Sequence, residues 1–128
     1  MPTESAALQL AFRTLLFVPG NRMDRVAKAH DSAADVVCID LEDAVPVADK
    51  DAAREAVLAF LASAATGRTA VRINGLRTRA GLRDLLALAG APRCPSLLLV
   101  PMVESAAELA IVDAVLGDAV VSVVPLVE

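Results

Sequence analysis

The sequence predicts an α/β fold: a parallel sheet covered by helices. Short β-branched runs alternate with Ala-rich stretches of helical periodicity. The short runs are apolar at every position rather than at every second one, which signals strands buried on both faces. The run-plus-helix unit recurs at roughly 25–30 residues, the length of one βα unit.

Each element has its own local signal. Thr14–Val18 (TLLFV) is an apolar run ended by Pro19-Gly20, and Asp24–Ser32 reads as a helix. Val36–Asp40 (VVCID) is the second run, followed by a long Ala-rich helix over Asp49–Ala64, with Lys50 and Arg54 one turn apart. Ala70–Ile73 is a short strand and Arg79–Ala89 a helix. Ser96–Val100 (SLLLV) is a strand, and Glu104–Leu116 a helix closed by Gly117. Val120–Val127 is the fifth run. Two architectures use this repeat, the doubly wound sheet and the (β/α)₈ barrel. No G-x-G-x-x-G or G-x-x-x-x-G-K-[ST] follows the first strand, which weakens the nucleotide-binding form of the wound sheet. A barrel needs eight units in about 250 residues, and about five are read here. The last apolar run has no closing helix, so the expectation is a chain truncated before closure.

Composition removes several function classes. The 128 residues are 56% apolar and 22% charged, enough for a sizeable core. A formal charge of −4 argues against general nucleic-acid binding. Three Phe and no Trp or Tyr leave little for base stacking. Cys38 and Cys94 match no metal-ligand spacing and fit free thiols in a reducing cytoplasm. No segment is read as membrane-spanning.

In parallel α/β folds ligands gather beyond the carboxyl ends of the strands. Those ends carry Asn21-Arg22, Asp40-Leu41-Glu42-Asp43, Arg72-Ile73-Asn74, Pro101 to Glu104, and Glu128. Arg72 lies inside a strand, where an unpaired charge is costly. It reads either as a bidentate anion clamp or as a salt bridge to Asp40 or Glu42. The DLED acids read as a cluster for hydrated Mg²⁺ or as caps for the helix near Asp49, and capping is the commoner use. A carboxylate at a strand's carboxyl end, as at Glu128, suits Mg²⁺, although one Glu is not a site. His30, the only histidine, lies late in a helix, where a cation is favoured. Arg77, Arg79 and Arg83 read as a basic rim or a solvated helix face.

RTLLFVPGNR (13–22), DVVCIDLEDAV (35–45), Lys50 with AAR (52–54), VRIN (71–74), LLLVPMVESAAEL (97–109) and VVPLVE (123–128) follow one another in order. Together they resemble the HpcH/HpaI aldolase/citrate lyase superfamily, nearest its citrate lyase β-subunit-like branch. The resemblance implies a TIM (β/α)₈ barrel with its first five βα units here. Residues 1–12 would be a flexible N-terminal extension and 13–128 the N-terminal part of the lyase domain. It implies Mg²⁺ and the cleavage or formation of a C–C bond in a β-hydroxyacyl thioester such as citryl-, malyl- or citramalyl-CoA. Carried over by position, Arg72 is the catalytic, substrate-binding arginine. Glu128 is a metal ligand that also meets substrate. Glu42 and Asp43 stand beside the metal's water shell, and Arg22, with Lys28, lies near a CoA phosphate. A second metal carboxylate would lie beyond Glu128. The resemblance further implies a cytoplasmic homo-oligomer, a trimer or hexamer, that binds neither nucleic acid nor membrane. Met102 departs from the family's usual Lys. Two other readings remain open: an HpaI-type class II aldolase acting on free hydroxy-keto acids, and a catalytically inactive half-barrel.

Overall fold

The structure is a computed structural model that describes residues 11–63, 66–119 and 121–128. The expected N-terminal extension lies almost wholly outside the described residues. The elements are β1 (Leu15–Pro19), α1 (Met23–His30), β2 (Val36–Asp40), a 3₁₀ turn (Val47–Asp49), α2 (Lys50–Ser63), β3 (Thr69–Arg72), α3 (Arg79–Ala89), β4 (Leu97–Val100), α4 (Ala106–Leu116) and β5 (Ser122–Pro125). These are the expected units; some are shorter at their ends, while β1, α1 and β3 are shifted, to Leu15–Pro19, Met23–His30 and Thr69–Arg72. The last helix starts at Ala106 rather than Glu104 because the Glu108 carboxylate accepts from the backbone N–H groups of Glu104 (2.6 Å) and Ser105 (2.9 Å), which closes the helix start there.

All five strands are parallel and pair in chain order, β1-β2-β3-β4-β5. That order bears on the two architectures left open above. A doubly wound sheet reverses its strand order at a switch point and carries helices on both faces. Here each described helix packs its buried apolar residues into one cluster. Val26 and Ala29 of α1, Ala53, Val57 and Leu61 of α2, Leu85 and Leu88 of α3, and Val112 and Leu116 of α4 meet Val18, Val37, Ile39, Val71, Leu98 and Val100 of the strands. The other face holds a separate cluster of Val36, Cys38, Ala70, Leu97 and Leu99, flanked by Leu15, Val124 and Leu126, with no helical residue in it among the described residues. Consecutive order with helices on one face is the winding of a barrel wall.

Strand alternation assigns the charges. Ile39 and Val71 point at the helices, so Asp40 and Arg72 point to the opposite face, and the two are direct partners in the β2–β3 register. Two glycines are demanded by close approach. A Cβ at Gly20 would lie 3.0 Å from the Asp40 carbonyl oxygen and 3.0 Å from Leu41 Cδ2, so the β1–α1 turn presses on the end of β2. A Cβ at Gly81 would lie 1.9 Å from the Gly75 carbonyl oxygen, so the first turn of α3 rests on the loop that follows β3.

Candidate functional site at the carboxyl ends of the strands

Asp40 organises the first part of the rim. Its Oδ1 accepts from Arg72 Nε (2.8 Å) and its Oδ2 from Arg72 Nη2 (2.6 Å), a fork-to-fork pair. The same oxygens accept the backbone N–H groups of Glu42 (2.9 Å) and Ala44 (3.1 Å). Asp40 is thus an Asx-type brace of its own loop, and the expectation that the acids cap the helix near Asp49 gives way to this. Burial pushes the Asp40 carboxyl up. Arg72 and the Glu42 and Ala44 N–H groups outweigh it and hold the carboxyl below its ordinary value. Bonding to Asp40 keeps Arg72 charged well beyond any working pH. The salt-bridge reading of Arg72 holds, and among the described residues no hydrogen bond uses its Nη1. The guanidinium also lies 4.8 Å from the Phe17 ring centroid, which supports it from β1.

Glu42 approaches Arg72 Nε at 3.6 Å. Its carboxyl is raised above the ordinary value by burial first and by neighbouring Asp43; Arg72 opposes this, while Asp40 and Glu128 add to it. Glu42 and Glu128, far apart in sequence, are therefore electrostatic neighbours. Both line one cavity of ≈ 470 Å³ with Asp43, Gly75, Leu76, Arg77, Thr78, Met102 and Glu104. The end of β5 is steered there by two backbone bonds: Leu126 N–H donates to Val100 O (2.8 Å) and Val103 N–H to Leu126 O (3.1 Å). Among the described residues no three His, Cys, Asp or Glu side chains come close enough to hold a metal directly. The acids of this cavity fit a cation that keeps most of its water, with one protein carboxylate bound and the others at water distance.

Arg77 forms one wall. It donates to Glu104 (2.7 Å) and to the Met102 carbonyl (3.1 Å), with Glu108 3.8 Å away. The expectation of a solvated helix face for Arg77 is replaced by a clip between the loops after β3 and β4. Met102, half exposed, is in the left-handed region at φ 57°. Such a conformation in a non-glycine residue is strained and is concentrated at ligand-facing positions.

Sequence reasoning missed a buried polar chain behind the rim. Lys50 Nζ donates to Leu41 O (3.0 Å), Glu42 O (2.8 Å) and Asn74 Oδ1 (2.6 Å). Asp84, 1% exposed, accepts from the Asn74 backbone N–H (2.9 Å), Asn74 Nδ2 (2.7 Å) and Arg54 Nε (2.7 Å). The one available signal was a charge at a position of α3 that helical spacing assigns to the core.

Arg22 and His30 do not line the cavity. Arg22 lies after β1 as expected but forks onto Asp24 (3.1 and 2.9 Å) and does not line the acidic cavity. His30 is in the last turn of α1, where its Nδ1 donates to Val26 O (3.0 Å) and its Nε2 pairs with the Thr69 hydroxyl (2.9 Å). Thr69 is the first residue of β3, so His30 sits at the opposite end of the sheet from the cavity.

The sequence pattern of the HpcH/HpaI aldolase/citrate lyase family matches residues 13–120. A (3S)-malyl-CoA thioesterase of Cereibacter sphaeroides is 37% identical over 109 residues, 84% of this chain and 38% of that protein. The citrate lyase subunit beta of Leuconostoc mesenteroides is 38% identical over 109 residues, 84% of this chain and 35% of that protein. The crystal structure of the protein CitE from Mycobacterium tuberculosis, in complex with magnesium, acetoacetate and coenzyme A, superposes with a TM-score of 0.74 at 41% identity, covering 91% of this chain and 40% of that one. The chain thus spans 35–40% of the length of these relatives.

Proposed function

Because this chain belongs to the HpcH/HpaI aldolase/citrate lyase family, we propose that its rim forms part of the site of a Mg²⁺-dependent carbon–carbon lyase acting on a β-hydroxyacyl thioester. The observation that carries the reading is the meeting of Glu42, Asp43 and Glu128 in one cavity at the carboxyl ends of the strands. The strand order supports a TIM barrel as the setting. Coenzyme A and magnesium beside the CitE relative support the substrate class and the cation.

Glu128 would hold the cation directly, and Glu42 and Asp43 would accept hydrogen bonds from its water. Hard carboxylate oxygens are the donors Mg²⁺ takes. The raised Glu42 carboxyl marks an excess of negative charge that a cation would relieve. When bound, Mg²⁺ supplies Lewis-acid polarisation of the substrate's oxygens and a template for its carboxylate. Arg72, oriented by Asp40 through two nitrogens, offers Nη1 to oxygen as charge develops there. In the cleavage direction the hydroxyl loses its proton and becomes the carbonyl of a keto acid. The C–C bond pair passes to the α-carbon of the acyl thioester as an enolate, which takes up a proton. Arg22 would lie near a phosphate of the CoA portion. Citryl, malyl and citramalyl thioesters all fit this chemistry.

The aldolase alternative calls on a histidine early in the fold, and the position of His30 at the far end of β3 weighs against it. To test the main reading, MnCl₂ is titrated into the chain, with binding followed by electron paramagnetic resonance and calorimetry. One saturable site is expected, weakened by about tenfold or more in Glu128→Gln. Malyl-CoA should yield glyoxylate and acetyl-CoA rather than malate and free CoA. No site, or one indifferent to Glu128→Gln, would overturn the reading.

A further inference from the structure

We propose that Lys50 is a positioning residue of this site: it ties the loop carrying Glu42 and Asp43 to the end of β3 and so sets where those acids stand relative to Glu128. The proposal rests on the cation reading of the acidic cavity, which it deepens.

An ammonium has three donors and no acceptor. All three are spent here, on Leu41 O, Glu42 O and Asn74 Oδ1, at 3.0, 2.8 and 2.6 Å. None is left for a substrate anion, so Lys50 does not act as a binding cation. Its partner Asn74 is itself fixed. Asn74 Nδ2 and the Asn74 backbone N–H both donate to Asp84 Oδ2, at 2.7 and 2.9 Å, which turns the amide oxygen toward Lys50. Asp84 Oδ1 takes Arg54 Nε at 2.7 Å. The loop after β2 is thereby linked to the end of β3, to α3 and back to α2.

The geometry at Glu42 gives the linkage its consequence. Its N–H is held by Asp40 (2.9 Å) and its C=O by Lys50 (2.8 Å), so the peptide on each side of its Cα is clamped. The carboxyl stands among Asp43, Asp40 and Glu128, whose like charges push the loop outward against the pull of Arg72 at 3.6 Å. A clamp on the backbone leaves the carboxyl free to face the cavity while resisting that repulsion. Residues that orient groups around a metal without touching it characteristically change affinity about 10–100-fold.

Lys50→Met and Lys50→Arg in the same chain test this, read by Mn²⁺ titration and by amide hydrogen exchange. Lys50→Met should weaken Mn²⁺ binding about tenfold. It should also speed exchange at Glu42 and Ala44 about tenfold, with Ile39 and Val71 unchanged. Lys50→Arg, which keeps donors and charge, should recover part of both. Binding within about twofold of the parent together with unchanged Glu42 exchange, or a uniform rise in exchange across the sheet, would overturn the proposal. If the parent chain binds no Mn²⁺, the cation reading fails and exchange at Glu42 and Ala44 alone decides the role of Lys50. Should Lys50→Met not fold, Asn74→Ala removes one of the three acceptors. Faster exchange confined to the loop then supports the proposal, and its absence refutes it.

Discussion

Replacing Asp40 by Asn probes the pair on which the rim is built. The carboxylate accepts four hydrogen bonds, two from Arg72 and one each from the Glu42 and Ala44 N–H groups. An amide keeps one acceptor oxygen, and its NH₂ faces the two donors that Oδ2 now serves. One hydrogen bond from Arg72 and one from the Ala44 N–H are lost, and the arginine loses its bidentate counter-charge, keeping only Glu42 at 3.6 Å from its Nε. The Asp40 side chain is 2% exposed and that of Arg72 18%, so returning water compensates little of this. The expected loss is about 3 kcal/mol, in the range for breaking one side of a buried pair. Urea unfolding at neutral pH, followed by circular dichroism, reads it. Because the penalty is an uncompensated charge, the Asp40→Asn/Arg72→Met double variant should be no less stable than Asp40→Asn alone. The pH dependence has a definite sign. The folded carboxyl is held below its ordinary 3.8, so its contribution is fully present above about pH 3.8 and is lost as pH falls through the lower folded value. The gap between parent and Asp40→Asn should close over that window. A loss under about 1 kcal/mol, or a double variant that simply adds two penalties, would refute the reasoning.

Two further outcomes are expected. Gly81→Ala drives a methyl into the Gly75 and Asn74 carbonyl oxygens, 1.9 and 2.6 Å from the ideal Cβ. It should cost at least about 2 kcal/mol in a thermal melt, although alanine favours helix. Glu42→Gln should make the cation-free chain more stable at pH 7 and leave it unchanged at pH 4. The folded carboxyl titrates above its ordinary 4.5, so its ionisation penalises the folded state only as pH rises past that value. Urea melts at the two pH values check this, and equal gains at both would count against the electrostatic account.

The βα alternation was legible because it rests on local periodicity. Strand runs and helix stripes each lie within one turn or one pleat of chain. Arg72 stood out as a charge amid apolar neighbours, and the strand-end acids followed from the rule for parallel folds. What stayed hidden were contacts between distant positions. Lys50 reads as an ordinary helix-start lysine until the loop after β2 folds back over it. Asp84 reads as one polar residue of an amphipathic helix until Asn74 and Arg54 converge on it. His30 is near the site in sequence order and at the wrong end of the sheet in space.

Sequence alone therefore determined that this chain forms a parallel α/β sheet and which family it resembles, and it singled out Arg72, the DLED acids and Glu128 as the candidate site. Those features are written in residue type and short-range spacing, which hydrophobic burial reads directly. Tertiary structure alone decided that the strands run in unbroken order with helices on one face, that Glu128 stands within electrostatic reach of Glu42, and that Lys50 has no hydrogen to spare for a ligand. These depend on strand register and loop closure across tens of residues, a range that no short-range pattern spans.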